Sequence, residues 1–227
     1  MKGTVVNVAA ILLGCSIGFI LKSKFPEKIG KIVMQGLGLA SLLIGMQMAL
    51  KTDNILLLIF SLVIGGIIGE MMGIEEGLER FGEKVKLKIK NNTDSEKFVE
   101  GFVTASLLYC VGSMAIMGAL KEGLSGNPDI LYIKSLMDGV TSIAFTAVMG
   151  IGVIFSAIPV FLYQGGITLL ARSIKDFFSP EIINEMTAVG GILILGIGFG
   201  LLEIKKIKIG NMLPAILVAA FLAATFN

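Results

Sequence analysis

The sequence predicts an all-α fold, a polytopic transmembrane helix bundle of about eight segments, of which seven are full spans and one is short or re-entrant. Hydrophobic residues make up 55% of the chain and charged residues 16%, against about 25% charged in soluble domains, and the mean hydropathy is +0.88. Glycine supplies 29 of 227 residues, and glycine is enriched where membrane helices pack closely. The bilayer is therefore the expected solvent, and residues 1–227 are expected to form a single transmembrane domain.

The predicted spans are stretches without charged residues whose lengths approach the roughly 20 residues that cross a bilayer as a helix. Between the third and fourth spans, Ile74, Leu78, Phe81 and Val85 recur at helical spacing among charged residues. Residues 74–97 are therefore predicted to form a cytoplasmic amphipathic connector between the two halves, lying against lipid headgroups. The predicted spans are residues 3–21, 32–50, 54–69, 101–120, 139–159, 160–171, 186–202 and 209–226.

The fifth and sixth spans come from one uncharged stretch, residues 139–171, which is too long for a single ordinary crossing and is divided here at Pro159. Residues 160–171 are few enough to form a re-entrant or stubby helix. With eight crossings, most of the 19 Lys and Arg residues lie on one side, which the positive-inside rule makes cytoplasmic, so both termini are predicted outside. If residues 160–171 do not cross, the last basic cluster, Lys205 to Lys208, lies outside instead.

The second and seventh spans show an internal sequence similarity. Met34, Gly38 and Leu50 align at a constant offset with Met186, Gly190 and Leu202. Because the eight-span topology gives these two helices opposite directions, the similarity indicates an inverted repeat, which transporters use to build a site near the membrane midplane. Chance similarity between glycine-rich helices is the alternative.

Polar residues at membrane depth are the candidates for function, because a carboxylate there costs about 2.5–3.5 kcal/mol on insertion scales and needs a partner or water. Asp138 begins a stripe at helical spacing on the fifth span that must face protein or water. The alternative is a packing face of small hydroxyl residues, with Asp138 paired near the surface to Lys134. The predicted solute or ion pathway consists of Asp138, Thr141, Ser142 and Ser156 on that helix, with Ser106, Ser113, Asn7, Gln164 and Asn211 from other segments.

Several classes of protein are disfavoured by what the chain lacks. It has no His and only two Cys, Cys15 and Cys110, so zinc, haem and disulfide sites are poorly supplied. It has no phosphate-binding Gly-x-x-x-x-Gly-Lys-Ser/Thr loop, no His to serve as the base of a serine protease, and no second intramembrane Asp. We therefore predict no enzyme activity, no cofactor, no metal and no nucleic-acid partner.

Five runs of residues resemble the signatures of the bacterial membrane family known as domain of unknown function 554, and they occur in order along nearly the whole chain. The resemblance implies a multi-pass protein of the bacterial inner membrane, with transport as the expected class of function and no established substrate. The runs are Gly3 to Asn7, Thr104 to Met114, Lys134 to Gly139, Phe155 to Ala157 with Tyr163 to Gly165, and Gly210 to Ala215.

The sequence thus favours a secondary transporter or channel-like permease for a small polar or ionic solute, with Asp138 as the position that couples a cation or proton. The alternative is a non-transporting scaffold or sensor that acts through the amphipathic connector. The expected partners are membrane lipids and the solute, together with a second copy of the chain. Homo-oligomerisation is indicated by glycine pairs four residues apart, although they could equally pack within one protomer. These pairs are Gly14 and Gly18, Gly65 and Gly69, and Gly196 and Gly200.

Overall fold

The computed structural model of the chain describes residues 1–22, 27–89, 95–175 and 177–226. Every regular element in those ranges is helical, which confirms the predicted all-α fold. The elements are α1 (Lys2–Lys22), α2 (Glu27–Ala49), α3 (Ile55–Met72), α4 (Ile74–Ile89), α5 (Ser95–Cys110), α6 (Ser113–Ser125), α7 (Asp129–Met149), a 3₁₀ helix (Ile151–Ser156), α8 (Ala157–Ile174), α9 (Pro180–Leu201), α10 (Ile209–Met212) and α11 (Pro214–Phe226).

Six helical stretches in the described ranges are long and apolar enough to cross a membrane. The pair α5 and α6 adds a seventh if its two bent halves form one span. Helix α7 is a further element of spanning length, with 21 residues, but it carries Lys134 and Asp138 in its interior. The chain is therefore a multi-pass helical membrane bundle. The six stretches are Lys2–Leu21, Lys31–Ala49, Ile55–Met72, Ile151–Ile174, Pro180–Leu201 and Ile209–Phe226.

The predicted division of residues 139–171 at Pro159 is wrong. The chain breaks at Gly150 instead, where φ 88° and ψ −153° suit a residue without a side chain. Pro159 lies in the first turn of α8, where its missing N–H removes little because the first amides of a helix have no partner within it. Residues 160–171 are accordingly no separate short segment, since they belong to the 24-residue span Ile151–Ile174.

Two other predicted boundaries are also corrected. The segment 101–120 is not one straight helix, because Gly112, at φ 154°, separates α5 from α6 and the two helices are bent by 53°. The segment predicted to start at residue 139 begins at Asp129, so that Lys134 and Asp138 lie inside α7 rather than in the loop before it. Charged residues inside a helix are tolerated at depth when they find partners in the protein.

The helices form two compact units, each assembled from distant parts of the chain. The first unit spans Met1–Pro26 and Lys90–Asp176 and holds α1 and α5 to α8. Within it, α1 and α7 run parallel and in backbone contact, since Gly3 lies against Leu131, Gly14 against the carbonyl of Gly139, and Gly18 against that of Ile143. A side chain at any of these glycines would hold the helices apart, so their sequence positions fix this pairing.

The second unit spans Glu27–Ile89 and Phe177–Asn227. It is centred on α9, where 78% of the residues in the apolar stretch are buried. Helix α2 runs antiparallel to α9, because Gly38 lies against Leu202 and Gly45 against Gly191. Helix α3 begins at the N-cap Asn54, which accepts a hydrogen bond from the amide of Leu57. The opposite directions of α2 and α9 agree with the eight-span topology, whereas the inverted repeat stays a prediction.

The connector and the glycine pairs can also be placed. Helix α4 covers the first part of the predicted connector 74–97, while residues 90–94 and the side chain of Val85 lie outside the described part. The glycine pairs Gly14/Gly18 and Gly65/Gly69 face helices of their own unit, which are α7 in one case and α10 with α11 in the other. Packing within one chain accounts for both pairs, so homo-oligomerisation stays a prediction without their support.

Candidate functional site

An ion pair lies in the interior of the first unit. The ammonium of Lys134 donates to both carboxylate oxygens of Asp138, at 2.9 Å to Oδ1 and 2.8 Å to Oδ2. The two residues are one turn apart on α7, and their side chains are only 8% and 7% exposed. The sequence allowed such a pair near the surface, whereas the structure buries it, and burial of a charge is tolerated only when the charge is paired and hydrogen-bonded.

Two amide side chains from other helices join the ion pair. Asn7 on α1 donates from Nδ2 to Asp138 Oδ2 at 3.0 Å and to Gln164 Oε1 on α8 at 3.2 Å. Both amides are fully buried. The hydrogen bond between Asn7 and Asp138 can form because the parallel packing of α1 on α7 places Asn7 at the level of Asp138. Asn7 therefore links two other predicted pathway residues, Asp138 and Gln164, by its two hydrogen bonds.

A tyrosine closes one side of this group. Tyr109 on α5 is fully buried, and its hydroxyl shares a 2.8 Å hydrogen bond with the hydroxyl of Ser142, one turn beyond Asp138. The Lys134 ammonium lies 6.0 Å from the centroid of the Tyr109 ring, at the outer limit of a cation–π contact. We call Asn7, Lys134, Asp138, Gln164 and Tyr109 the polar cluster, and it draws on four helices.

Part of the hydrogen-bonding capacity of this region is unused. Asp138 can only accept from Asn7, so the Asn7 amide must point Nδ2 at the carboxylate and Oδ1 away from it. Among the described residues, Asn7 Oδ1, Gln164 Nε2, and the hydroxyls of Thr4 and Thr168 are buried without a hydrogen-bond partner. Each such atom costs about 1–3 kcal/mol. The arrangement is thus suited to binding a small polar or charged guest.

Of the other predicted pathway residues of the first unit, Ser142 joins the polar cluster through its hydrogen bond to Tyr109, whereas Thr141 and Ser156 bond within their own helices. Thr141 donates its hydroxyl to the carbonyl of Met137 and Ser156 donates to that of Val153, each bond being 2.7 Å and within its own helical turn. Ser106 on α5 is half-buried, and its hydroxyl has no partner among the described residues. The side chain of Ser113 lies outside the described part of the chain.

Asn211 belongs to the second unit and has a structural role there. Its Nδ2 donates to Glu70 Oε2 at 2.6 Å, and its Oδ1 accepts from the amide of Glu75 at 2.7 Å. Glu75 in turn accepts from the amide of Gly210 at 2.6 Å, and burial raises the pKa of the Glu75 carboxyl. These bonds join the start of α10 to the junction of α3 and α4, so Asn211 is placed with Glu70 and Glu75 within the second unit.

Two buried carboxylates were not predicted. Glu122 on α6 accepts from the amide of Gly3 at 2.9 Å, and the amino group of Met1 lies 3.0 Å from the same oxygen. Glu185 on α9, 2% exposed, accepts from the hydroxyl of Thr52 and from the amides of Asp53 and Asn54. In the sequence, Glu122 follows one long apolar stretch and Glu185 precedes another, and charges at such positions are typical of loops. Glu122 thus caps the first turn of α1, whereas Glu185 holds the loop that leads into α3.

No grouping typical of a metalloenzyme is present in these ranges. Among the residues that the structure describes, three His, Cys, Asp or Glu side chains do not come together anywhere. The single carboxylate of the polar cluster is Asp138, and its charge is balanced by Lys134. The cluster can therefore hold one unit of positive charge, exchange a proton, or hydrogen-bond a polar molecule.

Comparison with known proteins agrees with this architecture. The family model described as "Protein of unknown function (DUF554)" matches residues 2–224. The chain is 35% identical to the "Uncharacterized membrane protein YdfK" of Bacillus subtilis (strain 168), over 96% of this chain and 93% of that protein. It is 32% identical to the "Uncharacterized protein YqgA" of Escherichia coli (strain K12), over 99% and 97% of the two chains. No solved structure matches.

Proposed function

Since this chain belongs to the DUF554 family of proteins of unknown function, we propose from its own geometry that it is a secondary transporter or channel-like permease for a small polar or ionic solute. The observation that carries the proposal is the polar cluster, in which Asn7, Asp138 and Gln164 from three helices of an apolar bundle are hydrogen-bonded together. A pathway for a polar solute through a membrane protein requires such a convergence.

A purely structural explanation accounts less well for the cluster. An ion pair needs its two charges and enough hydrogen bonds to satisfy them, and Lys134 already supplies both oxygens of Asp138 with a donor. The additional amides of Asn7 and Gln164 bring two further polar atoms into the core that the described residues leave unpaired. Because packed apolar residues would be at least as stable there, the surplus polar atoms favour a binding role.

The residues have distinct proposed roles. Asp138 binds the coupling cation or proton, and Lys134 balances its charge when that position is free. Asn7 and Gln164 present their free amide groups to the solute, while Ser142 holds Tyr109 against the cluster. Ser106 and Ser113 on the bent pair of helices remain candidates for the pathway further along. Thr141 and Ser156 are satisfied within their own helices and contribute little to binding.

The proposed location is the bacterial inner membrane, with both termini outside and α4 on the cytoplasmic side. The distribution of Lys and Arg between the loops supports this orientation. Reporter fusions after residue 89 and at the carboxyl end would test it, since they are expected on opposite sides. A reporter after residue 89 that is active only outside the cytoplasm would reverse the orientation.

Flux through reconstituted protein tests the function. Purified chain in liposomes should pass one or more members of a panel of small ions and neutral polar solutes, followed by ion-sensitive dyes and by osmotic swelling. Asp138→Asn should abolish that flux, and Asp129→Asn on the same helix, where Asp129 is exposed, should not. Absence of flux for the whole panel, with a soluble partner captured through α4, would support the scaffold or sensor alternative instead.

A further inference from the structure

Two buried amides in the polar cluster form only half of an amide pair. Two side-chain amides that face each other can make two hydrogen bonds, one in each direction. Here Asn7 Nδ2 donates to Gln164 Oε1 at 3.2 Å, whereas the return bond from Gln164 Nε2 to Asn7 Oδ1 is not made. One acceptor and one donor are therefore left open, and neither has a partner among the described residues.

The orientation of both amides is fixed by their neighbours. The Asp138 carboxylate, paired with Lys134, can only accept, so Asn7 must turn Nδ2 toward it, at 3.0 Å, and Oδ1 away. A flipped Gln164 would then place one N–H group against another, so its Oε1 faces Asn7 and its Nε2 is the free atom. The open positions are thus one acceptor, Asn7 Oδ1, and one donor, Gln164 Nε2.

The two open atoms lie close together. Within an amide the oxygen and the nitrogen are about 2.3 Å apart, so the 3.2 Å bond between the side chains limits the separation of Asn7 Oδ1 and Gln164 Nε2 to about 8 Å. An amide guest that donates to one atom and accepts from the other, through bonds of about 2.9 Å, bridges separations up to about 8 Å. A guest whose donor and acceptor share one oxygen bridges only about 6 Å. An amide therefore fits the whole range that the bond allows.

The charge of the surroundings favours a neutral guest. Lys134 and Asp138 neutralise each other, since the ammonium lies within 2.9 Å of both carboxylate oxygens. Asn7 and Gln164 are uncharged and fully buried. An ion bound among these residues would add an unbalanced charge to a low-dielectric interior, which costs far more than burying a hydrogen-bonded neutral group.

Space for such a guest lies between α1 and α8. The atoms nearest to a Cβ added at Gly165 would be the flexible end of the Met1 side chain, with its terminal methyl at 3.2 Å, and the methyl of Thr4 at 3.9 Å. A Cβ added at Gly3, where α1 packs on α7, would instead lie 2.7 Å from Leu131. The contact of α1 with α8 is therefore looser at this level than its contact with α7.

Further unpaired polar groups flank this space. Thr4 lies one turn before Asn7 on α1, and Thr168 lies one turn after Gln164 on α8, so the Cβ atoms of each pair are about 5–6 Å apart. Both threonine hydroxyls are buried without a hydrogen-bond partner in the part of the chain that the structure describes. Each hydroxyl can donate or accept, so it can bind a second N–H group or oxygen of the guest.

We propose that the polar cluster binds a small neutral amide, of the carboxamide or urea class, which donates an N–H to Asn7 Oδ1 and accepts from Gln164 Nε2 between α1 and α8. This assignment rests on the proposed transport function and gives it a substrate class. The amide binds while the coupling position is free, because Lys134 and Asp138 are then paired and hold Asn7 in its orientation. The Met1 side chain moves to admit the guest beside Gly165.

Binding to the full-length protein in detergent tests the site without transport. In NMR, magnetisation should be transferred from the protein to the methyl protons of acetamide, and urea should compete with acetamide. N,N-Dimethylacetamide has no N–H for Asn7 Oδ1 and should compete about 2- to 10-fold more weakly than acetamide itself. No transfer to acetamide, or equal competition by the dimethyl compound, would overturn the proposal.

Substitutions on α8 test the placement of the guest. Gln164→Met removes the donor and should weaken acetamide binding about 2- to 10-fold, whereas Gln47→Met, at an exposed position of α2, should not. If Gln164→Met does not fold, Gly165→Ala provides the test, because its methyl fills the space beside the amides while alanine favours the helix. Gly166→Ala, where a Cβ has nothing within 4 Å, is its control. Unchanged binding in folded Gln164→Met or in Gly165→Ala would refute the placement.

Flux keeps this inference distinct from the proposed function. Urea entry into proteoliposomes, followed by stopped-flow light scattering, should exceed entry into protein-free liposomes, and it should fall with Gly165→Ala but not with Gly166→Ala. Liposomes that pass an ion or another solute, but neither urea nor acetamide, would uphold the permease and refute the amide class. Acetamide binding in detergent without any flux would uphold the amide site and refute transport.

Discussion

Lys134 and Asp138 form a buried ion pair across one turn of α7, with the ammonium 2.8 Å from one carboxylate oxygen and 2.9 Å from the other. Water cannot solvate either charge, because both side chains are less than a tenth exposed. The stability of the first unit is therefore tied to the two residues as a pair, and their substitutions are expected to be strongly non-additive.

Removal of one member of the pair should destabilise the protein more than removal of both. Asp138→Leu alone leaves a buried ammonium and is expected to cost about 3–5 kcal/mol, as breaking a buried pair typically does. The double variant Lys134→Met with Asp138→Leu should recover most of this loss while remaining inactive in flux. Thermal unfolding in detergent measures both effects, and additive losses in the double variant would contradict a direct pairing.

A methyl group at Gly14 should separate α1 from α7. Its Cβ would overlap the carbonyl oxygen of Gly139, so Gly14→Ala is expected to cost about 1–3 kcal/mol, the usual range for overpacking. Gly166→Ala on α8 is the matched control, because a Cβ there has nothing within 4 Å and alanine favours helix by about 0.5–1 kcal/mol. Equal unfolding temperatures for the two variants would refute the close contact.

Glu185 should stabilise the start of α3 through its oxygens rather than its charge alone. Glu185→Ala removes the acceptor of the Asp53 amide and of the Thr52 hydroxyl, while the Asn54 amide keeps Thr52 Oγ1, and is expected to lower the free energy of unfolding by about 1–3 kcal/mol. Glu185→Gln keeps one oxygen in place and should lose markedly less. Thermal unfolding compares them, and a glutamine variant as unstable as the alanine variant would point to charge as the main contribution.

Glu75 is expected to make the second unit less stable as pH rises. Burial raises the pKa of its carboxyl above the ordinary 4.5, so the stability that it contributes is complete below pH 4.5 and is lost as pH rises through the folded-state value. Glu75→Gln stays neutral and can still accept from the amide of Gly210, so it should raise the unfolding temperature at pH 7. The difference should vanish near pH 4.

The exposed neighbour Glu76 provides the control for that comparison. Its side chain is 66% exposed and makes a 3.9 Å ion pair with Arg80 on the same helix face. Surface pairs of this kind contribute about 0–1 kcal/mol, so Glu76→Gln should leave the unfolding temperature nearly unchanged at both pH values. A lower unfolding temperature of Glu75→Gln at pH 7 would show that the negative charge of Glu75 is stabilising.

The bundle itself was predictable because hydropathy acts over whole segments. The boundaries were not, because they depend on contacts between helices. Lys134 and Asp138 ended a span in the sequence, yet in the structure they lie inside α7, where each neutralises the other. A helix break was predicted at Pro159, but the chain breaks at Gly150 instead. A proline in the first turn of a helix disturbs that helix little.

The candidate site was partly predictable for the same reason. Local spacing identified Asp138 and Ser142 as one buried face of α7, and polar residues alone on apolar helices identified Asn7 and Gln164. No local pattern could assign Asn211 to Glu70 and Glu75 of the second unit. Tyr109 reads as an ordinary apolar residue in sequence, and only its contacts with Ser142 and Lys134 reveal its place in the polar cluster.

The bond between Asn7 and Asp138 also sets an order for biogenesis, since 131 residues separate the two partners. At roughly 5–20 residues per second, a ribosome needs on the order of 7–26 s to make that interval, during which α1 has left the ribosome and its mate has not yet been synthesised. A nascent chain truncated before α7 should therefore carry an orphaned amide in lipid, and is expected to be retained by the insertion machinery or degraded.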